Sequence, residues 1–183
     1  SAAISVNLTK TDASCFGGNN GAVNTTVSGG TGSYTYNWSN TATTANISGL
    51  SAATYTVTVR DGNNCSVTSS ATVAAPAQIQ INDTHTNVSC NGGNNAGITT
   101  NVSGGVSPYA YTWNTGSTAA SISGLNANTY TVLVTDNNSC TAMSSVTITE
   151  PAVLVLSETH TPFACTSSAG TIDLTVSGGT SPY

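Results

Sequence analysis

The chain has 183 residues, two Lys/Arg against seven Asp/Glu, a formal net charge of −5 and only 5% charged side chains, where an ordinary globular domain carries about a quarter. Lys10 and Arg60 alone cannot neutralise a run of phosphates, which excludes nucleic acid as a partner. So few charges also leave little repulsion between copies, and association with other copies of the chain is electrostatically easy.

Alternation of apolar and polar residues defines the elements in chain order. Ile4 to Thr9 reads as a strand, followed by Gly17-Gly18-Asn19-Asn20-Gly21, residue types that tolerate positive φ and so predict a tight turn. Ala22 to Val27 forms a second strand that stops at Ser28-Gly29-Gly30. The third carries Tyr34, Tyr36 and Trp38, whose rings share one face at period two. Ile47-Ser48-Gly49-Leu50 turns into Tyr55-Thr56-Val57-Thr58-Val59. The turn Asp61-Gly62-Asn63-Asn64 then leads through Cys65 to a last strand ending near Val73. No window shows a helical period, and no apolar stretch is long enough to span a bilayer.

The whole series then recurs. Cys15, Cys65, Cys90, Cys140 and Cys165 are spaced 50, 25, 50 and 25 residues apart, a period of 75. Trp38 and Trp113, Tyr55 and Tyr130, Asp61 and Asp136, His85 and His160, and Pro76 and Pro151 keep the same period. Overlaid without a gap, residues 1–75 and 76–150 agree at about half of their positions, the mark of a modular array. The expected modules are 1–75, 76–150 and an incomplete third, 151–183. Ser181-Pro182-Tyr183 repeats Ser107-Pro108-Tyr109 and stops within a motif, so the protein is expected to continue past Tyr183.

Six or seven short strands per period, with Trp on the third and Tyr opening the penultimate one, predict an all-β fold of tandem immunoglobulin-like β-sandwich modules of about 75 residues. Almost no other large apolar side chains are available, so Tyr34, Tyr36, Trp38, Tyr55, Tyr109, Tyr111, Trp113 and Tyr130 are assigned to the core. Exposed, the same ladder of rings would instead make a sugar-stacking platform.

So small a core needs a staple, and two disulfide frameworks fit the spacing. One joins cysteines within modules, Cys15 to Cys65 and Cys90 to Cys140. The other crosses the boundaries, Cys65 to Cys90 and Cys140 to Cys165. In the second, Cys90 lies beyond the first strand of its module, roughly 25 Å from the boundary at about 3.3 Å per residue, whereas bridged Cα atoms lie within about 7 Å. Bridges within modules are therefore favoured, with Cys165 unpaired inside this chain. Persistent disulfides imply an oxidising, extracellular setting.

No catalytic constellation is expected. Each complete module offers one His, two bonded cysteines and separated acids, which build neither a nucleophile with its base nor a carboxylate pair. A metal site is disfavoured because no two cysteines are close in sequence, and no cofactor is indicated. His85 and His160 are expected on an exposed strand face. Asp61 and Asp136 are read as turn residues rather than calcium ligands, since EF-hand spacing is absent. Asn-x-Ser/Thr triplets, as at Asn24, Asn37 and Asn101, arise by chance in so Thr-rich a chain.

The ordered set Cys, Gly-Gly-Asn-Asn, Val-Ser-Gly-Gly, Tyr-x-Tyr-x-Trp, Ile-Ser-Gly-Leu, Thr-Tyr-Thr-Val, Asp and Cys resembles the SprB-type repeat of the very large surface adhesins of gliding bacteria. The third copy departs from it: Cys165-Thr166-Ser167-Ser168-Ala169-Gly170 lacks the Gly-Gly-Asn-Asn loop and is one residue shorter. The resemblance implies a long filament at the bacterial cell surface, exported by the type IX system, carried by the gliding machinery and gripping a surface polysaccharide or solid substratum. It transfers no site residues. A structural and adhesive spacer is thus the expected role. A carbohydrate-binding module and the non-catalytic stalk of a large secreted enzyme are the alternatives.

Overall fold

The computed structural model describes residues 2–162, 165 and 169–183. Every regular element among them is a strand: β1 Ser5–Thr11, β2 Gly21–Ser28, β3 Thr35–Trp38, β4 Ile47–Leu50, β5 Ala53–Arg60, β6 Ser66–Val73, β7 Gln80–Thr86, β8 Ala96–Ser103, β9 Ala110–Trp113, β10 Ser121–Leu125, β11 Asn128–Thr135, β12 Thr141–Ile148, β13 Val155–Thr161 and β14 Thr171–Ser177. The strands gather into two compact units. Unit 1 comprises Ser1–Gln80 with Ser103–Tyr109 and Thr135–Thr141, and unit 2 comprises Ile81–Val102, Ala110–Val134 and Ala142–Tyr183.

In the first repeat two three-stranded sheets form, in the orders β1-β2-β4 and β3-β5-β6. The β1–β2 register runs from Ser5 opposite Ser28 to Thr11 opposite Ala22, and β5–β6 from Ala53 opposite Val73 to Arg60 opposite Ser66. Side chains that alternate inward meet between the sheets: Val23 from β2, Trp38 from β3, Ile47 and Leu50 from β4, Tyr55, Val57 and Val59 from β5, and Val73 from β6 form one buried cluster. The alternation is a consequence of the two-residue period of a strand, which puts Tyr55, Val57 and Val59 on one face and threonines on the other. Each fully buried Val removes enough apolar surface from water to stabilise the fold by roughly 1.5–3 kcal/mol.

The second repeat reproduces the sheet orders as β7-β8-β10 and β9-β11-β12. Its buried side chains include Ile98, Trp113, Leu125, Tyr130, Val132, Val134 and Ile148. The third supplies the antiparallel pair β13–β14, with Leu156, Ile172 and Leu174 exposed. Of its shortened loop, residues 166–168 lie outside those described.

The Val-Ser-Gly-Gly motif has a steric cause. Gly29, Gly104 and Gly178 have φ of 73°, 73° and 75°, and a Cβ at each would run into the carbonyl oxygen of Ala3, Gln78 and Val153 respectively. The next glycine donates its N–H across the same approach: Gly30 to Ala2 O, Gly105 to Ala77 O and Gly179 to Ala152 O, each at 2.8 Å. Only glycine combines positive φ with so close a backbone neighbour.

The aromatic residues divide into two sets. Trp38, Trp113, Tyr55 and Tyr130 are buried. Each indole Nε1–H donates to a backbone carbonyl, Thr44 O or Ala119 O, at 2.9 Å. Tyr55 OH donates to Ser51 O and Tyr130 OH to Asn126 O, four residues upstream of each ring, the contact of a tyrosine corner. Tyr34, Tyr36, Tyr109 and Tyr111 are half-buried. Tyr34 and Tyr109 turn their hydroxyls to Gly29 O and Gly104 O.

Candidate functional site

The chemistry-bearing residues of this protein are its cysteines, and two kinds of loop present them. The first kind follows the opening strand. After β1, Ser14 N–H donates to Asn20 Oδ1 (3.0 Å), Asn20 Nδ2 donates to Ser14 Oγ (2.7 Å), and Gly18 N–H donates to Cys15 O (3.0 Å). After β7 the same three bonds recur: Ser89 to Asn95 (3.1 Å), Asn95 to Ser89 (2.7 Å) and Gly93 to Cys90 (3.0 Å). The Gly-Gly-Asn-Asn sequence is therefore a clamp that fixes the cysteine two residues before its first glycine.

The second kind is built on a buried aspartate. Asp61 Oδ1 accepts the N–H groups of Asn63 and Cys65, both at 2.9 Å, and its Oδ2 accepts that of Thr31 at 3.0 Å. Asp136 does the same for Asn138 (2.9 Å), Cys140 (2.8 Å) and Val106 (2.9 Å). Burial pushes the Asp136 carboxyl up, but the three N–H groups from Val106, Cys140 and Asn138 together outweigh it and hold the carboxyl below its usual range. At the turn's end Asn64 and Ser139 both sit at φ 65°. With their carboxylate oxygens engaged by backbone N–H groups, Asp61 and Asp136 organise the turn that carries the following cysteine.

The disulfide joins Cys15 to Cys140, with Cα atoms 5.7 Å apart. This corrects the expected pairs Cys15 with Cys65 and Cys90 with Cys140. Cys65, Cys90 and Cys165 are free and exposed. The reason lies in strand direction. Cys65 immediately precedes Ser66, the first residue of β6, whereas the Cys15 loop is tied to that strand's far end, Ala13 N–H donating to Ala74 O at 2.9 Å. Seven rises of about 3.3 Å separate the two ends by roughly 23 Å, three times the span that a disulfide tolerates. Thr135–Thr141 belongs to unit 1, and there the Asp136 turn meets the Cys15 loop. Asn138 Nδ2 donates to Ser14 O at 2.9 Å beside the bridge.

Sequence reasoning named the cysteines and the aspartates but missed Ser14 and Asn138 as partners at the junction. The available signal was the recurrence of Asp with Cys four residues later in both repeats. The other candidates are dispersed. His85 on β7 and His160 on β13 are exposed. Among the described residues no three His, Cys, Asp or Glu side chains are grouped to hold a metal, and no helix is long and apolar enough to cross a membrane.

Fold and site together define a tandem-repeat β-sandwich protein with a cystine between the first loop of one repeat and the aspartate turn of the next. The family model of the SprB repeat matches residues 7–43, 82–118 and 157–183, more than half of the sequence, and the chain belongs to that family. Each match opens in the first strand of a repeat. No curated protein matches the chain. SprB repeats are a non-catalytic repeat type found in large surface adhesins.

Proposed function

We propose that the chain is a repeat region of an extracellular adhesin at the bacterial cell surface, acting as a structural and adhesive spacer. In this reading residues 1–75, 76–150 and 151–183 are successive immunoglobulin-like modules. The observation that carries it is the threefold match to the SprB repeat. The Cys15–Cys140 bridge supports it, since such bonds persist in oxidising compartments. A chain with only 5% charged residues supports it too, because hydroxyls and amides make many weak contacts whose sum over repeated modules is large. Export by the type IX system and coupling to a gliding motor enter through the family alone.

The carbohydrate-platform reading is weaker, because both indoles are buried, at 3% and 2% exposure, with their N–H groups bonded inside the sandwich. The test is location first and adhesion second. Antibodies raised against this chain should label intact cells, and removal of the repeats should reduce attachment to a polysaccharide-coated surface. Labelling that required permeabilised cells would overturn the proposal.

A further inference from the structure

The two exposed cysteines of the complete repeats are held as the bridged ones are. Cys90 sits in the same Ser-Asn clamp as Cys15. Cys65 closes the same aspartate turn as Cys140: Asp61 N–H donates to Cys65 O at 3.0 Å, and Asp136 N–H to Cys140 O at 2.9 Å. Each loop therefore keeps its geometry whether or not its sulfur is bonded, so each free cysteine is a preformed half of one joint.

Within unit 2 a cleft of about 810 Å³ opens beside Cys90, lined also by Ser89, Asn91, Pro151, Thr180 and Tyr183. Thr180 follows Ser177-Gly178-Gly179 as Val106 follows Ser103-Gly104-Gly105. Val106 is the residue that receives an aspartate turn, donating its N–H to Asp136 and accepting that of Asn137 at 2.8 Å. The cleft thus places a thiol of the Cys15 kind next to the position that anchors an Asp-x-x-x-Cys turn.

We propose that Cys90 and Cys65 are halves of inter-repeat disulfides in the same register as Cys15–Cys140, each bond joining a first-loop cysteine to the aspartate-turn cysteine 125 residues later. The occupant of the Cys90 cleft is the aspartate turn of the following repeat, and Cys65 takes the first-loop cysteine of the preceding one. Chemically, two thiols lose two protons and two electrons to a low-molecular-weight or protein disulfide, which is reduced to two thiols as the new S–S bond forms.

The experiment uses the full-length protein isolated natively, with free thiols blocked by N-ethylmaleimide before digestion without reduction. The Cys90 peptide should be linked to a peptide whose cysteine lies 125 residues later, and neither Cys90 nor Cys65 should carry the label. In a Cys90→Ser variant one new labelled thiol should appear, at that later cysteine. Labelled Cys65 or Cys90, or a link at any other separation, would overturn the proposal. So would a Cys90–Cys65 link between copies, recognised as mixed-isotope pairs when labelled and unlabelled protein are combined.

Discussion

Two side chains show how much a single residue carries here. Trp113 is 2% exposed and its Nε1–H bonds Ala119 O. Trp113→Ala is expected to cost about 3–5 kcal/mol, the range for deleting a core aromatic, measured by denaturant unfolding against the parent. Asp136 acts through charge. Its folded pKa is lowered, so its contribution is complete above the unfolded value of about 3.9 and is lost as pH falls through the folded value. Asp12 adds to the same trend, its carboxyl lowered by the Ala74 N–H and then by Lys10. Stability should therefore decline on acidification below about pH 4, and Asp136→Asn should flatten that decline in unfolding curves recorded across the acid range.

At the scale of the element, turns decide more than strands. Gly92 and Gly104 share a φ of 73°, but a Cβ at Gly92 meets nothing within 4 Å while one at Gly104 meets the Gln78 carbonyl. Gly92→Ala should cost about 1 kcal/mol, the penalty of a left-handed non-glycine residue. Gly104→Ala should cost more, about 2–3 kcal/mol, and the difference in denaturation midpoint between the two variants isolates the close approach. Strands, rings and glycine turns were legible because alternation and positive-φ residues are local properties of the chain. The bridge was not, because it depends on which end of β6 each cysteine emerges from, and loop length is silent on direction. The half-buried state of Tyr36 and Tyr111 was equally hidden: β3 and β9 are only four residues long, so period two fixes a shared face but not how far the partner sheet extends over it.

For the whole molecule the bridge is a long-range covalent restraint, closing 125 residues. In the chain-entropy model such a closure stabilises by at most about 5 kcal/mol. Cys15→Ser or Cys140→Ser should lower the unfolding midpoint, and addition of a reductant should bring the parent to the same value. In the 183-residue chain by itself, where Cys65 has no bonded partner, Cys65→Ser should leave it within about 0.5 kcal/mol of the parent, as for an exposed substitution. If Cys65→Ser alone were the damaging change, the observed pairing would be wrong.

That closure also alters how the protein responds to being pulled. A tensile load applied at the two ends enters at β1 and reaches Cys15, then passes through sulfur to Cys140, bypassing everything from β2 to β11. At about 3.4 Å per residue the sheltered segment amounts to roughly 400 Å of slack that stretching cannot release while the bond is intact. An oxidised unit pays out only the residues outside the bridge before a covalent bond must break, whereas a reduced one pays out strand by strand.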